Sequence, residues 1–442
     1  MKAEKIKAIY ENMPKGVKRI FAPYFIRSII KNPVYLRTIS ALDEYESMDE
    51  DKRNEVTLNK LKETLAYAYE HTAYYKKLFD EIGFVPSEVK SFEDIKVIPF
   101  MDKNLAVEHK YELLSDENIS YYESHTSGSS SGKVFEILLD KDSIYMERAF
   151  MNHYLQKFGY DPRHSRTVAF WGHNKDKDYY YSPLKNEIVI SPFRLFKEEE
   201  FEGVWKDIVK FKPDMIAGYP SALFLLAQLA KKNNKSLDLK IVQFYAENYT
   251  DEIKKTLEET FNCPAVATYG HTERQVFGEL YGDEYKFNGL YGYTELVPIP
   301  DEENRNVYKI VCTGFNSRKM PLIRYATDDA VIIDEKGIHI MGHTTSEAKV
   351  IGKNGARIYK GTLSPHSRPF SKVKLYQYVQ HEPGKVFLDL ILDEPFTQED
   401  FDELNAYYER KCEGLLDVEI RIVKELKLNK RGKYSWLVSD LK

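Results

Sequence analysis

The chain has 442 residues, which predicts two or three domains, because a single compact core seldom grows that large. A formal net charge of −5 argues against a nucleic-acid-binding protein, and three scattered cysteines argue against a disulfide framework or a cysteine-rich zinc site. The few cysteines fit a reducing cytoplasm, where the protein is expected. No signal-peptide pattern occurs and no stretch reaches the roughly 18 apolar residues of a transmembrane helix.

The N-terminal region is predicted to be helical. Residues 17–37 mix basic and apolar side chains, so this segment either lies on a membrane surface or packs against its own domain. Two prolines interrupt the segment and favour packing. Residues 55–79 predict one packed helix, because four apolar residues recur at helical spacing. These are Leu58, Leu61, Leu65 and Ala68.

A segment rich in small residues follows, "HTSGSSSGKVFEI" (125–137). It does not have the spacing of a nucleotide P-loop, since three residues separate Gly128 from Gly132 and Val134 follows Lys133, which leaves no hydroxyl for magnesium. The run after the loop is strand-like, whereas a P-loop opens a helix. The segment is therefore predicted to join two strands and to hold phosphate with hydroxyls, backbone N–H groups and one lysine.

From residue 165 short β-rich runs alternate with amphipathic helices, which predicts a largely parallel sheet covered by helices. The strands are "RTVAFWG", "EIVISPF", "MIAGYP", "KIVQFYAE" and "AVATYG", and the helices are "KEEEFEGVWKDIVKF", "SALFLLAQLAKKNN" and "TDEIKKTLEETF". Ligands of such sheets bind beyond the carboxyl ends of the strands. The predicted strand ends are "GYPS" (218–221), "YAEN" (245–248) and "YGHTE" (269–273).

From about residue 305 the pattern predicts antiparallel hairpins with Lys-Gly and Asn-Gly turns. The last hundred residues follow the order β, β, α, β and predict a small α+β unit. A polar stretch between two strand runs places a domain boundary near Ser346. The expected domains are residues 1–345 and residues 346–442.

Five motifs in order resemble those of the adenylate-forming superfamily, in its phenylacetate-CoA ligase branch. They are "TSGSSSGK" (126–133), "YAEN" (245–248), "YGHTE" (269–273), "PLIRYATDD" (321–329) and "NKRGKY" (429–434). The N-terminal "IYENMPKGVKRI" and "HTAYYKKLFDEIGF" resemble members of this branch found in capsular polysaccharide biosynthesis. The resemblance implies an α/β fold with two domains. The large N-terminal domain, residues 1–345, would contain mixed sheets and helices and would bind ATP and the acyl group. The small mobile α+β C-terminal domain, residues 346–442, would form a lid.

The resemblance also implies a reaction. ATP and Mg²⁺ would activate a carboxylic acid to an acyl-adenylate with release of pyrophosphate, and the acyl group would pass to coenzyme A. Two alternatives stay open: transfer to an amine or a sugar, and a degenerate nucleotide-binding protein without catalysis. The expected partner is a small carboxylic acid, and the sequence does not identify which acid.

The resemblance assigns roles to particular residues. The phosphates of ATP would be held by Thr126, Ser127, Gly128, Ser129, Ser130, Gly132 and Lys133. Glu273 would bind the metal, Thr272 the α-phosphate and Asp329 the ribose, while Ala246, Glu247, Tyr269 and Gly270 would frame the adenine. Lys433 would reach the α-phosphate from the small domain, and the acyl pocket would include Trp171, His173, Tyr219 and His271. On a purely structural interpretation, Glu273 caps a helix and Lys433 is a solvated lysine.

Three positions depart from the motifs. Asp328 stands where a glycine usually precedes the ribose aspartate, and His343 stands where an arginine helps to hold ribose. The hinge aspartate corresponds only to Ser346 or Glu347. The first two departures bear on nucleotide affinity, and the third bears on the domain rotation before the second half-reaction.

Overall fold

A computed structural model describes most of the chain. The described residues are 15–125, 135–171, 179–183, 185–245, 247, 249–299, 306–342, 349–363, 365, 367–427 and 436–441. In this part of the chain no helix is long and apolar enough to cross a membrane.

The helices in this part of the chain, in order, are α1 (Lys15–Ile30), α2 (Pro33–Ser47), α3 (Glu50–His71), α4 (Ala73–Ile82), α5 (Lys103–Glu108), α6 (Ser143–Gln156), α7 (Phe201–Phe211), α8 (Pro220–Lys232), α9 (Asp251–Phe261), α10 (Lys360–Leu363) and α11 (Gln398–Cys412). Short 3₁₀ helices span Pro86–Glu88, Asp94–Val97, Pro192–Phe196, Glu198–Glu200 and Arg368–Lys372.

The strands in the same ranges are β1 (Tyr121–His125), β2 (Glu136–Asp140), β3 (Thr167–Phe170), β4 (Tyr180–Ser182), β5 (Glu187–Ile190), β6 (Met215–Gly218), β7 (Ile241–Phe244), β8 (Ala265–Tyr269), β9 (Gly278–Tyr281) and β10 (Glu284–Phe287). They continue with β11 (Gly292–Pro298), β12 (Val307–Gly314), β13 (Tyr325–Asp334), β14 (Gly337–Gly342), β15 (Lys349–Ile351), β16 (Arg357–Tyr359), β17 (Val373–Glu382), β18 (Lys385–Leu392), β19 (Asp417–Ile422) and β20 (Leu437–Ser439).

The largest sheet has the order β10-β9-β8-β7-β6-β3-β5-β4. Its centre, β5 through β8, is parallel, as the sequence predicts, and antiparallel strands close both edges. Alternate side chains point to opposite faces of a strand. Phe170 and its neighbours on one face therefore pack against α7, α8 and α9, while Met215 and its neighbours on the other face pack against α6 and α2.

The N-terminal helices pack on this domain. In α1, Ala22 and Ile26 are buried, so the prediction that this segment packs against its own domain is confirmed. The prediction of one helix over residues 55–79 is wrong in one respect. Thr72 has extended backbone angles, φ −127° and ψ 136°, and its side chain caps α4, so the chain forms two helices there.

The smaller sheets complete the fold. Strands β1 and β2 pair antiparallel, so the segment 126–135 joins two strands, as predicted. Strands β11 to β14 form an antiparallel sheet, and the C-terminal sheet has the order β19-β18-β17-β20 with α11 packed on it. The core of this C-terminal unit draws on residues 350–437 and on Phe193. The predicted boundary at Ser346 lies outside the described residues and stays a prediction.

Candidate functional site

The three predicted strand ends meet at one edge of the large sheet. Strands β6, β7 and β8 are neighbouring and parallel, so their carboxyl ends lie side by side. Tyr219, Tyr245 and Tyr269 stand at these three ends. This arrangement follows from the β-α-β alternation in the sequence, because parallel strands joined by helices end at the same edge.

Tyr269 connects this edge to the antiparallel sheet. Its hydroxyl donates a hydrogen bond of 2.8 Å to Oδ2 of Asp329, which lies on β13. Burial and the nearby Asp329 carboxylate raise the pKa of Tyr269 well above its usual value, so the phenol stays protonated and can donate. Asp328 is exposed, whereas Asp329 is half-buried. The second of the two aspartates is therefore the one oriented toward the strand ends.

Glu273 is a buried carboxylate, and each of its two oxygens contacts one polar side chain of the described chain. Oε1 accepts a hydrogen bond of 2.8 Å from the hydroxyl of Tyr325, and Oε2 lies 3.1 Å from Nδ1 of His271. Burial alone would raise the pKa of Glu273, but the nearby charge of His271 and the hydrogen bond from Tyr325 outweigh burial and lower it to about 2. The carboxylate is therefore ionised at neutral pH, paired with an imidazolium whose pKa its charge raises.

His271 contacts a third group. Its Nε2 lies 3.8 Å from Sγ of Cys312, a fully buried thiol. The His271 ring faces Glu273 and Cys312 and does not line the cavity described below, and its assignment to the acyl pocket stays a prediction. A hydrogen-bonded carboxylate keeps unused lone pairs on both oxygens, so Glu273 can still accept a cation.

Thr272 and Gly270 flank these groups in the "YGHTE" turn. Thr272 is half-buried, and its hydroxyl makes no hydrogen bond with the residues that the structure describes, so it is available to a ligand. Gly270 is exposed, and a Cβ at this position would stand 3.3 Å from the carbonyl oxygen of Val276. The turn is thus too tight for a side chain to fit there without a small shift.

Glu247 follows β7 and faces the start of α8. Oε2 accepts hydrogen bonds from the hydroxyl and the backbone N–H of Ser221, at 2.6 and 3.3 Å. Oε1 is buried and makes no hydrogen bond with any described residue. Burial raises the pKa of Glu247 to about 7, because the contacts with Ser221 compensate only part of the lost hydration.

A cavity of about 220 Å³ lies between α6 and the large sheet. We call it the α6 cavity. Trp171, assigned to the acyl pocket, lines it. Tyr219, assigned to the same pocket, does not line the cavity, because it precedes α8 and packs into the core on the other face of the sheet. The lining residues are Arg148, Met151, Asn152, Leu155, Tyr160, Thr167, Trp171, Lys185, Glu187, Met215, Ala217, Gln243, Tyr245 and Thr268.

The other assigned residues lie outside the described part of the chain. They comprise the phosphate loop, the small-domain lysine and three further positions: Thr126, Ser127, Gly128, Ser129, Ser130, Gly132, Lys133, His173, Ala246, His343 and Lys433. Their roles stay predictions. The hairpin β1–β2 brackets the loop on both sides.

Two residues of "PLIRYATDD" support the site without having been assigned a role from sequence. Tyr325 holds Glu273, as described above. Arg324 forms a bidentate ion pair with the buried Glu295, at 2.9 and 2.8 Å, and also donates to the carbonyl oxygens of Lys96 and Ile98. Their position in a recognised motif was the only sequence signal that they matter. Their partners, Glu273 and Glu295, are far away in sequence and could not be inferred from it.

Comparisons with known proteins found relatives in sequence and in fold. No family model matches the chain. It is 27% identical to the protein CapK of Staphylococcus aureus over 197 residues, which are 44% of this chain and 41% of CapK. It is 22% identical to phenylacetate-coenzyme A ligase of Escherichia coli over 310 residues, and the matched region covers 66% of this chain and 70% of that protein. It is 24% identical over 318 residues to the corresponding ligase of Aromatoleum evansii, at 67% and 70% coverage.

Solved structures share the fold. A 2-hydroxyisobutyryl-CoA ligase in complex with 2-HIB-AMP and CoA superposes with a TM-score of 0.54 at 16% identity, covering 89% of this chain and 91% of that chain. The same ligase in a postadenylation state gives 0.52, with 89% and 90% covered. The chain is homologous to phenylacetate-CoA ligases and to CapK, and it has the fold of adenylate-forming acid-CoA ligases.

Proposed function

We propose that this protein activates a carboxylic acid with ATP to an acyl-adenylate, releases pyrophosphate, and transfers the acyl group to coenzyme A. The observation that carries the proposal is the meeting of Tyr269, Asp329 and Glu273 at the carboxyl edge of the parallel sheet. Homology to phenylacetate-coenzyme A ligases, whose name states an acid and a CoA acceptor, supports the same reaction.

The reaction brings two anions together, because the carboxylate of the acid attacks the α-phosphate of ATP. The site must therefore supply positive charge and hydrogen-bond donors where negative charge accumulates. In the proposed reaction Thr272 donates its hydroxyl to the α-phosphate, and Lys133 and Lys433 supply charge at the departing and reacting groups. Asp329, held by Tyr269, accepts both ribose hydroxyls and fixes the nucleotide along the sheet edge.

The single carboxylate of Glu273 fits a Mg²⁺ ion that is bound chiefly by the phosphate oxygens of ATP. Mg²⁺ in nucleotide sites usually takes one or two carboxylates together with phosphates and waters. Glu273 provides one ionised carboxylate, and no cluster of three or more His, Cys, Asp or Glu side chains suited to a metal occurs in the described ranges. Bound there, Mg²⁺ would neutralise phosphate charge, and Glu273 would hold it.

Glu247 fits the adenine side of the nucleotide. Its Oε1 is buried without a partner on the described chain, which is costly unless a ligand supplies a donor. The exocyclic amine of adenine is such a donor. We infer that Glu247 accepts this hydrogen bond, while Ser221 holds its other oxygen.

Pyrophosphate exchange tests the first half-reaction. The protein is incubated with ATP, Mg²⁺, labelled pyrophosphate and a panel of carboxylic acids, and acid-dependent formation of labelled ATP is expected. No exchange with any acid, in protein that is folded and binds ATP, would favour the degenerate nucleotide-binding alternative. Adding coenzyme A, amines or sugars to an active acid then identifies the acceptor, since thioester, amide and ester products are distinguished by mass.

A further inference from the structure

The α6 cavity runs along one face of the parallel sheet. Thr167 and Glu187 lie at the amino ends of β3 and β5, and are paired in register. Trp171, Tyr245 and Thr268 line the cavity near the carboxyl ends of their strands. From Thr167 to Trp171 a strand rises roughly 13 Å, at about 3.3 Å per residue. The cavity lining therefore extends from the nucleotide edge, which we call its mouth, to the amino ends of β3 and β5, which we call its deep end.

Three charged side chains enter this cavity. Arg148 comes from α6, Lys185 precedes β5, and Glu187 begins β5. Glu187 is 5% exposed. None of the three makes a side-chain hydrogen bond or salt bridge to another residue of the described chain. Buried charges are normally paired, because leaving one without a partner costs several kcal/mol. Glu187 is therefore a buried charge without a hydrogen-bonded partner, and Arg148 and Lys185, which are half-buried, can reach a ligand in the cavity.

The electrostatics of the three groups show that they act on one another across the cavity. Burial raises the pKa of Glu187, and the nearby charges of Lys185 and Arg148 oppose that rise. Burial lowers the pKa of Lys185, which Glu187 opposes and Arg148 reinforces. The Lys185 ammonium lies 4.2 Å from the centroid of the Trp171 ring, a cation–π contact that favours its charged form.

With all three groups ionised, the charged set carries one positive charge in excess. An anionic group would bring this set to neutrality and accept hydrogen bonds from Arg148 and Lys185. An ammonium group would instead raise the local charge to two, and an apolar group would leave Arg148 and Glu187 without hydrogen-bonded partners. The lining thus favours an anion beside Arg148 and Lys185, while Trp171 and Tyr245 near the mouth and Met215 at the amino end of β6 contribute largely apolar surface.

We propose, on the premise of the proposed function, that the acid activated by this protein carries a second anionic group, which Arg148 and Lys185 bind inside the α6 cavity. The reacting carboxylate then lies at the mouth, beside Thr268 and the "YGHTE" turn. The substrate class is a dicarboxylic acid.

The cavity size limits the spacer between the two carboxylates. An apolar protein cavity of about 150 Å³ accommodates benzene. The α6 cavity, at about 220 Å³, can take a benzene ring and a few further atoms. Suitable probes are therefore adipate and 4-carboxyphenylacetate. Matched acids that differ only in the distal group are 6-hydroxyhexanoate, 6-aminohexanoate and hexanoate, and, for the ring, 4-hydroxyphenylacetate and phenylacetate.

Binding and exchange are measured separately, so that the two proposals can fail independently. Calorimetry with each acid and no ATP tests the cavity, and pyrophosphate exchange tests catalysis. A dicarboxylate is expected to bind roughly 10- to 100-fold more tightly than its matched monocarboxylate, the range typical of a hydrogen-bonded charge. Tighter binding of the hydroxy, amino or apolar acid, or no binding of any dicarboxylate, would overturn the dicarboxylate inference.

Substitutions test whether Arg148 and Lys185 bind the second anionic group. Arg148→Met should remove most of the preference for dicarboxylates, and Arg148→Lys should retain part of it. Arg163→Met is the matched control, since Arg163 is an exposed arginine that does not line the cavity. If Arg148→Met does not fold, Lys185→Met provides the same test. An unchanged preference in a folded Arg148→Met or Lys185→Met variant contradicts the proposal. Dicarboxylate binding that depends on Arg148, without exchange, supports it and rejects the proposed function.

Discussion

Removal of the Asp329 carboxylate should weaken nucleotide binding, whereas removal of the adjacent carboxylate should not. Asp329 accepts a hydrogen bond from Tyr269 and is half-buried, and Asp328 is exposed on the same strand. Successive side chains of a strand point to opposite faces, so only one of these two carboxylates can face a ligand at the sheet edge. We therefore compare Asp329→Ala with Asp328→Ala.

The expected magnitude follows from the contacts that are lost. Hydrogen bonds to a charged group contribute about 1.5 to 3 kcal/mol, and partial exposure places the total for two ribose hydroxyls at about 2 to 3 kcal/mol. Since about 1.4 kcal/mol corresponds to a factor of ten, ATP affinity should fall roughly 30- to 150-fold. Tyr269→Phe keeps the carboxylate but removes the bond that orients it, and should cost roughly 5-fold, the equivalent of about 1 kcal/mol for one hydrogen bond.

Calorimetry with ATP and Mg²⁺ measures these affinities, and thermal unfolding checks that each variant is folded. Asp328→Ala is the matched control and should bind ATP within about 2-fold of the unaltered protein, as expected for an exposed charge. Loss of affinity in Asp328→Ala with little change in Asp329→Ala would show that the alignment of this motif is off by one residue.

Three further outcomes are expected. Glu273→Gln should keep the fold, because the amide oxygen can still accept a hydrogen bond from Tyr325, but the variant should bind ATP more weakly in the presence of Mg²⁺. Calorimetry with and without Mg²⁺ measures this loss. An unfolded variant would instead favour a structural role for Glu273. Lys433→Ala should bind ATP with an affinity within several-fold of the unaltered protein, yet its rate of pyrophosphate exchange should fall roughly 10²- to 10³-fold, about 3 to 4 kcal/mol. It should still transfer the acyl group from preformed acyl-adenylate at the normal rate. An equal loss of exchange in Lys430→Ala would mean that the basic tail acts as a diffuse patch of charge. Arg324→Met should lower the free energy of unfolding in urea by about 3 to 5 kcal/mol, because Glu295 would stay buried without its partner; a loss below about 1 kcal/mol would contradict this.

Most of the large sheet could be predicted from local patterns. The runs that end at Gly218, Phe244 and Tyr269 are short, apolar and separated by amphipathic helices, and such segments carry their own periodicity. The pairing of strands at the edge of the sheet was harder to predict from sequence. The antiparallel edge strands β9 and β10 have weak local patterns, and the break at Thr72 depends on one capping side chain within a continuous helical stripe.

By itself the sequence determined the order of the motifs, the alternation of strands and helices, and therefore the edge at which Tyr269 and Glu273 had to lie. These features are local, since periodicity and turn residues act over a few positions. Only the tertiary structure decided which side chains meet. Tyr269 and Asp329 are 60 residues apart, and Arg148, Lys185 and Glu187 approach the same cavity from a helix, a turn and a strand. Contacts of this kind depend on how the helices pack across the sheet, which no short stretch of sequence encodes.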